Sequence, residues 1–313
     1  MKRDELKHLI VGPCAAVATP FDEAFEVDCG RMAEVTKFWV ENGLVAGKAV
    51  IKVAAAMGEG FMLDEDEWQM LVRTAVQAAD GKAAIMCGIH YKDTKRAIEH
   101  ARRAQDLGVI GVQVPPPMHH APTQDDILKY YEALSDAVDI GILVYNNPWY
   151  PNGNILTETL LKMKDFESVV AVKWNTWGSP EGQEYEDMTQ FADVFNVIDN
   201  TVSPVRCHQL GGAGFIQTTV DVYPPHDLRV WEMIQNEQYE EAKAEFDRVQ
   251  LPLRELGAKF AQRSGGQARL KKGMMELMGQ PMGASRPPSQ PLNDEEMAEL
   301  RDVLVGFGWP VES

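Results

Sequence analysis

A single lysine follows a run of apolar residues near the middle of the chain. Residues 169–172 read Val-Val-Ala-Val, and Lys173 comes directly after them. The length and β-branching of this run are typical of a strand that is buried on both faces, as in a parallel sheet covered by helices. A lysine that is partly desolvated at the end of such a strand loses part of its preference for the charged form. Because a neutral amine can attack a carbonyl carbon, Lys173 is a candidate nucleophile; the alternative is a lysine that reaches from the strand end into water.

A tyrosine ends another largely apolar run. Residues 140–144 precede Tyr145 in the chain. If this strand lies beside the strand of Lys173, the phenol and the amine are roughly 5 Å apart at the same edge of the sheet. A phenol can move protons for an amine that condenses with a ketone. Taken alone, Tyr145 would be an ordinary residue with its hydroxyl in water, so its pairing with Lys173 is what favours a catalytic role.

Strands and helices alternate around these two residues. Asp64 with Glu67 has the spacing of a capping box at a helix start, and Ser179-Pro180 and Ser203-Pro204 each predict a helix that begins at the proline. Apolar segments of strand length separate the helical ones. They are residues 11–19, 49–56, 83–88, 109–114, 140–145, 169–173, 194–198 and 214–220.

Eight alternating units favour a closed (β/α)8 barrel over a doubly wound open sheet. We therefore predict an α/β fold of the TIM-barrel class over residues 1–226. Residues 227–313 have helical periodicity only, with a last helix capped by Asn293 and Glu296, and are predicted to pack on the barrel as a helical region. The C-terminal ends of the strands meet at one rim of a barrel, which places Lys173 and Tyr145 at the same mouth.

The charge balance limits the partners of the protein. The chain of 313 residues has 30 basic and 47 acidic side chains, a formal net charge of -17. This excess of negative charge argues against nucleic acid or an anionic membrane as a partner. A small anionic substrate would have to be met by local positive charge or by dipoles.

The cysteines and the N-terminus predict a cytoplasmic protein. Cys14, Cys29, Cys87 and Cys207 are widely spaced and form no C-x-x-C pair, so neither a zinc site nor a disulfide scaffold is predicted. The first ten residues carry charges throughout, and no apolar run approaches the ~18 residues that cross a bilayer.

Several motifs of this chain resemble those of the class I, Schiff-base-forming lyases typified by dihydrodipicolinate synthase and N-acetylneuraminate lyase. The resemblance covers nearly the whole chain and implies a TIM barrel, an imine on Lys173, proton relay by Tyr145, no cofactor, and a homotetramer or at least a dimer. The motifs are Met57-Gly58-Glu59, Tyr145-Asn146-Asn147-Pro148, Val170-Ala171-Val172-Lys173 and Gly211-Gly212-Ala213-Gly214-Phe215-Ile216.

The chain also departs from this family at positions that concern the substrate. Ala56 and Met57 occupy the places of two threonines that help to hold a 2-oxo acid carboxylate in the family. A second relay aromatic has no match in the loop after the fourth strand, which leaves His119 and His120 as candidate replacements. These two histidines are adjacent and not spaced as metal ligands, so no metal is predicted. An arginine that often follows the Tyr-Asn-x-Pro motif is absent from residues 149–151.

Apolar and aromatic residues take the place of these polar groups near the predicted rim. They suit a bulky or aromatic substrate, and the chain in this respect resembles the hydratase-aldolases, which cleave arylidene-pyruvates to pyruvate and an aldehyde. Ordinary packing is the alternative for each tryptophan, and three other functions stay open: a dihydrodipicolinate synthase-like reaction, a sugar-acid lyase or dehydratase, and a ligand-binding protein without catalysis. The rim residues in question are Met57, Phe61, Trp149, Trp174 and Trp177, and the predicted substrate-binding set is Ala56, Met57, His119, Trp174, Asn200 and Ile216.

Overall fold

Parallel strands form a closed barrel in the computed structural model, which describes residues 2–90, 92–117, 121–148 and 150–312. Each strand pairs with the next along the chain, and the eighth pairs with the first, as predicted from the alternating pattern. The strands are β1 Gly12–Ala16, β2 Val50–Val53, β3 Ala84–Gly88, β4 Gly111–Val114, β5 Gly141–Tyr145, β6 Val169–Trp174, β7 Asn196–Asp199 and β8 Gly214–Gln217.

Helices cover the outside of the barrel and continue beyond its last strand. The predicted capping boxes at Asp64 with Glu67 and at Asn293 with Glu296 are present at their helix starts. The helices are α1 Arg3–Leu9, α2 Cys29–Glu41, α3 Glu65–Ala79, α4 Thr94–Leu107, α5 Gln124–Ser135, α6 Thr157–Lys162, α7 Gln183–Glu186, α8 Pro204–Gln209, α9 Pro224–Gln235, α10 Tyr239–Phe260, α11 Ala268–Leu277 and α12 Asp294–Gly306.

The first helix closes the N-terminal end of the barrel. Leu6 of α1 and Ile10 after it are buried, and they pack with inward-facing side chains such as Val50, Leu143 and Ile198. Because these side chains fill the lower interior, space for a ligand is left at the opposite end, where the strands finish.

One predicted helix start lies later in the structure. α8 begins at Pro204 as predicted, but α7 begins at Gln183, after Gly182. The Ser179 hydroxyl instead accepts a hydrogen bond from the backbone N–H of Glu181, which is the local turn that a serine before proline can also form.

Two lysines hold α11 against the rim of the barrel. Lys271 Nζ donates to the Ala16 carbonyl at the end of β1 at 2.7 Å and is paired with Asp221. Lys272 Nζ lies 3.2 Å from the Glu59 carboxylate, in the loop after β2. The helices after the barrel therefore contact the same rim at which the strands end.

Among the residues that the structure describes, no helix combines the length and the apolar character needed to span a membrane.

Candidate active site

A cavity of about 370 Å³ opens at the C-terminal ends of the strands. Residues at or near the ends of seven of the eight strands contribute to its wall. Its lining residues are Ala16, Lys52, Ala55, Ala56, Met57, Gln113, Tyr145, Asn147, Tyr150, Lys173, Asn200, Val202, Ile216, Gln217, Thr218, Gln250 and Gln267.

Lys173 and Tyr145 lie side by side in this cavity. The two residues are register partners on β6 and β5. Lys173 Nζ is 3.8 Å from the centroid of the Tyr145 ring, and the two residues are only 7% and 6% exposed. The amine therefore lies against the face of the phenol in a nearly water-free position.

Burial lowers the pKa of Lys173 well below its ordinary value of 10.5. Loss of water around the ammonium is the main cause, and the positive charge of Lys52 lowers the pKa further. A larger share of Lys173 is consequently neutral near pH 7 than for a lysine in water, which is the form that attacks a carbonyl.

The loop after β5 orients the Tyr145 hydroxyl. Asn147 Nδ2 donates a hydrogen bond of 2.8 Å to the phenol oxygen. Asn146 fixes the loop: its Nδ2 donates to the Asn175 carbonyl at 3.1 Å, and its Oδ1 accepts from the Ile155 N–H at 2.8 Å. The first asparagine of the Tyr-Asn-Asn-Pro motif is thus structural, and the second faces the phenol.

Ala56 and Met57 form one wall of the cavity from a 3₁₀ turn, Ala56–Gly58, that follows β2. Their side chains have no hydrogen-bond donor. Thr19 Oγ1 holds the turn by donating to the Gly58 carbonyl at 2.6 Å. This wall consequently has apolar side chains on a fixed backbone.

Asn200 and Ile216 complete the predicted group. Asn200 follows β7, and its Nδ2 donates to Asn175 Oδ1 at 2.8 Å. Ile216 lies on β8, and both residues line the cavity. The fold thus brings together six of the eight predicted site residues: Lys173, Tyr145, Ala56, Met57, Asn200 and Ile216.

A family model, the dihydrodipicolinate synthetase family, matches residues 10–306 of the chain. The chain belongs to this family.

Curated relatives and solved structures agree with this assignment. 4-Hydroxy-tetrahydrodipicolinate synthase of Pelobacter propionicus is 26% identical over 95% of this chain and 98% of its own length. The protein of the same name from Heliobacterium modesticaldum is 28% identical over 94% of each chain. Two solved structures share the fold. Dihydrodipicolinate synthase from Aquifex aeolicus has a TM-score of 0.84 and 22% identity, and the match covers 97% of this chain and 100% of that one. DHDPS from Cyanidioschyzon merolae with lysine bound has a TM-score of 0.84 and 24% identity, and the match covers 96% of this chain and 99% of that one.

Membership of the family makes the chain an enzyme of the class I Schiff-base type, a carbon-carbon lyase or a hydro-lyase. Enzymes of this type use a lysine amine as the nucleophile. Lys173 is the lysine of the predicted family motif, and it lies in the cavity of this barrel.

Trp174 does not line the cavity, contrary to the prediction from sequence. Side chains alternate along a strand, so the residue after Lys173 points away from the barrel interior. The Trp174 ring packs edge-on against Phe191 at a centroid distance of 5.2 Å, and its Nε1 donates to the Tyr185 carbonyl at 3.2 Å. Trp174 therefore packs between β6 and the helical segments that follow it.

Other predicted rim aromatics also lie away from the lining. Phe61 is 46% exposed and has an edge-on contact with His90, and Trp177 is 62% exposed. His119, His120 and Trp149 lie outside the described residues.

Several polar cavity residues were not identified from the sequence, among them Lys52 and Gln113. Lys52 on β2 is 1% exposed, and its Nζ donates a hydrogen bond of 2.6 Å to Oε1 of Gln113 on β4. Burial lowers the pKa of Lys52 to about 8. Each of these two residues interrupts an apolar strand, which is a sequence signal for a polar group in the barrel interior, but the pattern does not show that the two side chains meet.

Proposed function

We propose that the enzyme forms an imine between Lys173 and the ketone of a pyruvate-type 2-oxo acid, and that it makes or breaks a carbon-carbon bond beside this imine. The contact between the buried Lys173 amine and the Tyr145 ring, inside the cavity at the strand ends, is the observation that carries the proposal. The lowered pKa of Lys173 supports it, because only the neutral amine is nucleophilic.

In this mechanism Lys173 Nζ attacks C2 of the 2-oxo acid, and the carbinolamine loses water to give a protonated imine. In a 4-hydroxy-2-oxo acid, the C4 hydroxyl then gives up its proton, the bond between C3 and C4 breaks, and its electron pair passes to the imine, so an aldehyde leaves and an enamine remains. Protonation at C3 and hydrolysis release the 2-oxo acid and free Lys173. Tyr145 would move protons to and from the C2 oxygen, with its hydroxyl oriented by Asn147.

A bulky or aromatic aldehyde is the proposed partner. Apolar side chains of Met57, Tyr150, Val202 and Ile216 line the cavity. The absence of side-chain donors at Ala56 and Met57 also favours apolar contact over selection of a hydroxylated partner, because apolar walls cannot pair hydroxyl groups. This resembles a hydratase-aldolase reaction on an aryl-substituted 2-oxo acid.

A polar partner is the second candidate, as in a sugar-acid lyase or dihydrodipicolinate synthase reaction. Thr218, Gln250 and Gln267 line the same cavity and could pair with hydroxyl or amino groups. Retro-aldol rates with an aryl-substituted 2-oxo acid and with N-acetylneuraminate distinguish the two candidates. The first requires the aryl substrate to be cleaved faster, and equal or greater turnover of the sugar acid would remove it.

Reduction with borohydride in the presence of pyruvate tests the core of the proposal. We expect peptide mass analysis to find the reduced pyruvate adduct on Lys173, and no adduct in the Lys173→Met variant. An unmodified Lys173 across a panel of 2-oxo acids would overturn the proposal. Ligand-induced thermal stabilisation with no turnover of any 2-oxo acid would instead indicate a binding protein.

A further inference from the structure

Lys52 and Lys173 face the same cavity from β2 and β6, and Gln113 lies on β4 between them. In a barrel of eight parallel strands, inward-facing side chains of alternate strands share one layer. The hydrogen bond of 2.6 Å from Lys52 Nζ to Gln113 Oε1 shows that these two side chains meet at the same height, across β3. A molecule bound to Lys173 would therefore face the ammonium of Lys52.

No ion pair with Lys52 exists among the described residues, although a buried ammonium normally has one. Its hydrogen-bond partner Gln113 is neutral, and the only charged side chains that line the cavity in the described ranges are Lys52 and Lys173. The nearby Cys14 thiol is buried, and burial raises its pKa to about 11, so it does not supply a negative charge near pH 7. Within the described residues, the cavity wall thus holds a buried cation without a counter-ion.

A second polar group of the cavity, the side-chain N–H of Gln217, lacks an acceptor among the described residues. Gln217 is 6% exposed and lines the cavity. Its Oε1 accepts a hydrogen bond from the Thr218 N–H, but its buried Nε2 has no acceptor within the part of the chain that the structure describes. A buried amide N–H without an acceptor is unfavourable, so a bound acceptor would be stabilising here.

The proposed substrate has the group that these donors lack. A 2-oxo acid carries a carboxylate next to the ketone that Lys173 attacks, and this carboxylate loses its water when it enters the cavity. Ala56 and Met57 cannot donate to it from their side chains, and the net charge of the protein, -17, gives no general attraction for anions. Local positive charge must therefore pair with it.

We propose that Lys52, held in place by Gln113, binds the carboxylate of the 2-oxo acid and so selects 2-oxo acids over neutral ketones. This inference rests on the proposed function of Lys173. Lys52 forms no covalent bond in the reaction; it contributes a charged hydrogen bond to the substrate and to the imine. A neutral ketone would leave the Lys52 ammonium unpaired, and it would be disfavoured for that reason.

The test compares trapping of a 2-oxo acid with trapping of its ester, which lacks the negative charge next to the reacting ketone. Pyruvate and its neutral methyl ester are each reduced onto Lys173 with borohydride for short times, and the ratio of the two trapping efficiencies is measured. We expect Lys52→Met to lower the pyruvate-to-ester ratio at least tenfold. If Lys52 were only a packing residue, or acted only through the reactivity of Lys173, trapping of both molecules would fall together and the ratio would not change; that result would overturn the inference.

Two further variants control for folding. Lys7→Met removes a partly buried lysine near the opposite end of the barrel, where Lys7 Nζ donates to the Val194 carbonyl at 2.9 Å, and it should leave the ratio unchanged. Should Lys52→Met fold poorly, the double variant Lys52→Val with Gln113→Val replaces both polar partners by apolar groups, which is often tolerated in a core. The double variant must show the same loss of the ratio.

Binding of oxamate separates this inference from the proposed function. Oxamate has the size and the carboxylate of pyruvate, and its amide carbon does not form an imine. Calorimetry on Lys173→Met protein, with and without the added Lys52→Met change, measures the carboxylate contact alone. We expect at least tenfold weaker binding without Lys52. Equal binding by the two proteins would overturn the role of Lys52 whatever the outcome at Lys173.

Discussion

Two consecutive residues of β6 have different roles: Lys173 lines the cavity, and Trp174 packs outside it. Lys173 faces the cavity, and Trp174 faces the surrounding helical layer, because consecutive side chains of a strand point to opposite faces. The family resemblance and the strand pattern were sufficient to predict Lys173 and Tyr145 as cavity neighbours. Placing Trp174 in the same pocket ignored this alternation, and the structure corrects it.

Tyr145→Phe tests the proton relay. We expect kcat for the retro-aldol reaction to fall about 10²–10⁴-fold, because the substrate oxygen loses its proton donor and acceptor. Borohydride trapping of pyruvate should be slower but should still mark Lys173 at long reaction times, since the phenylalanine ring still provides the face against which the amine lies. Steady-state kinetics and trapping are measured side by side. Tyr130→Phe, a buried tyrosine of α5, serves as the control, and an unchanged kcat for Tyr145→Phe would exclude the relay.

The pH dependence of trapping tests the charge of Lys52. The positive charge of Lys52 lowers the pKa of Lys173, so its removal in Lys52→Met should raise that pKa. Lys173 then becomes neutral only at higher pH, and the acid limb of the trapping rate should move to higher pH. Methyl pyruvate is the probe, because it has no carboxylate whose contact with Lys52 the substitution would remove. A limb that stays in place or moves to lower pH contradicts the electrostatic coupling of the two lysines.

The elements that position the site could largely be predicted from the sequence. All eight strands lie within or beside the predicted segments, because each is a short apolar run between helical segments. α1 was missed because seven residues with many charges show too little apolar periodicity, although Leu6 is buried under the barrel. Lys52 and Gln113 were missed for another reason: the meeting of residues from β2 and β4 depends on the stagger of the strands, which a single sequence does not reveal.

Gly60→Ala tests the turn that places Ala56 and Met57. A Cβ atom at Gly60 would lie 1.8 Å from the Ala54 carbonyl oxygen, and a backbone atom cannot move away cheaply. We expect the substitution to destabilise the fold by at least about 2 kcal/mol, measured by urea unfolding. Gly265→Ala is the matched control, since no atom lies within 4 Å of its added Cβ. Similar stability of the two variants would show that the turn tolerates a shift.

Assembly concerns the whole molecule. The resemblance predicts a homotetramer or at least a dimer, and helices after the barrel expose apolar side chains suited to such packing, with Leu251 44% and Val305 57% exposed. We expect light scattering at micromolar concentration to give at least twice the monomer mass of 34.9 kDa. A mass equal to that of the monomer would contradict this prediction.

The docking of the C-terminal helices on the barrel places a carboxyl group in the protein interior. Asp227 of α9 is fully buried, close to Asp221 and to Lys271, which links α11 to β1. Burial raises the pKa of Asp227 from 3.8 to about 7. A hydrogen bond with the Thr219 side chain lowers this pKa, and the negative charge of Asp221 raises it. The folded protein therefore holds a proton on Asp227 at pH values at which the unfolded chain has released it.

This proton links stability to pH. The contribution of Asp227 is fully present below about pH 4 and is lost as the pH rises through about 7, with a slope of at most about 1.4 kcal/mol per pH unit for one proton. We expect Asp227→Asn, whose amide stays neutral, to flatten the fall in unfolding free energy between pH 5 and pH 8, measured by urea titration at each pH. Asp80→Asn changes an exposed carboxylate beside Lys82 and should leave that dependence as it is in the parent protein.

If Asp227→Asn and the parent protein lose stability in parallel over this range, the Asp227 carboxyl is ionised in the folded state at pH 5. The helices after the barrel would then be docked over a buried negative charge that Lys271 and its surroundings stabilise, and the acid side of the stability profile would have to come from other carboxylates.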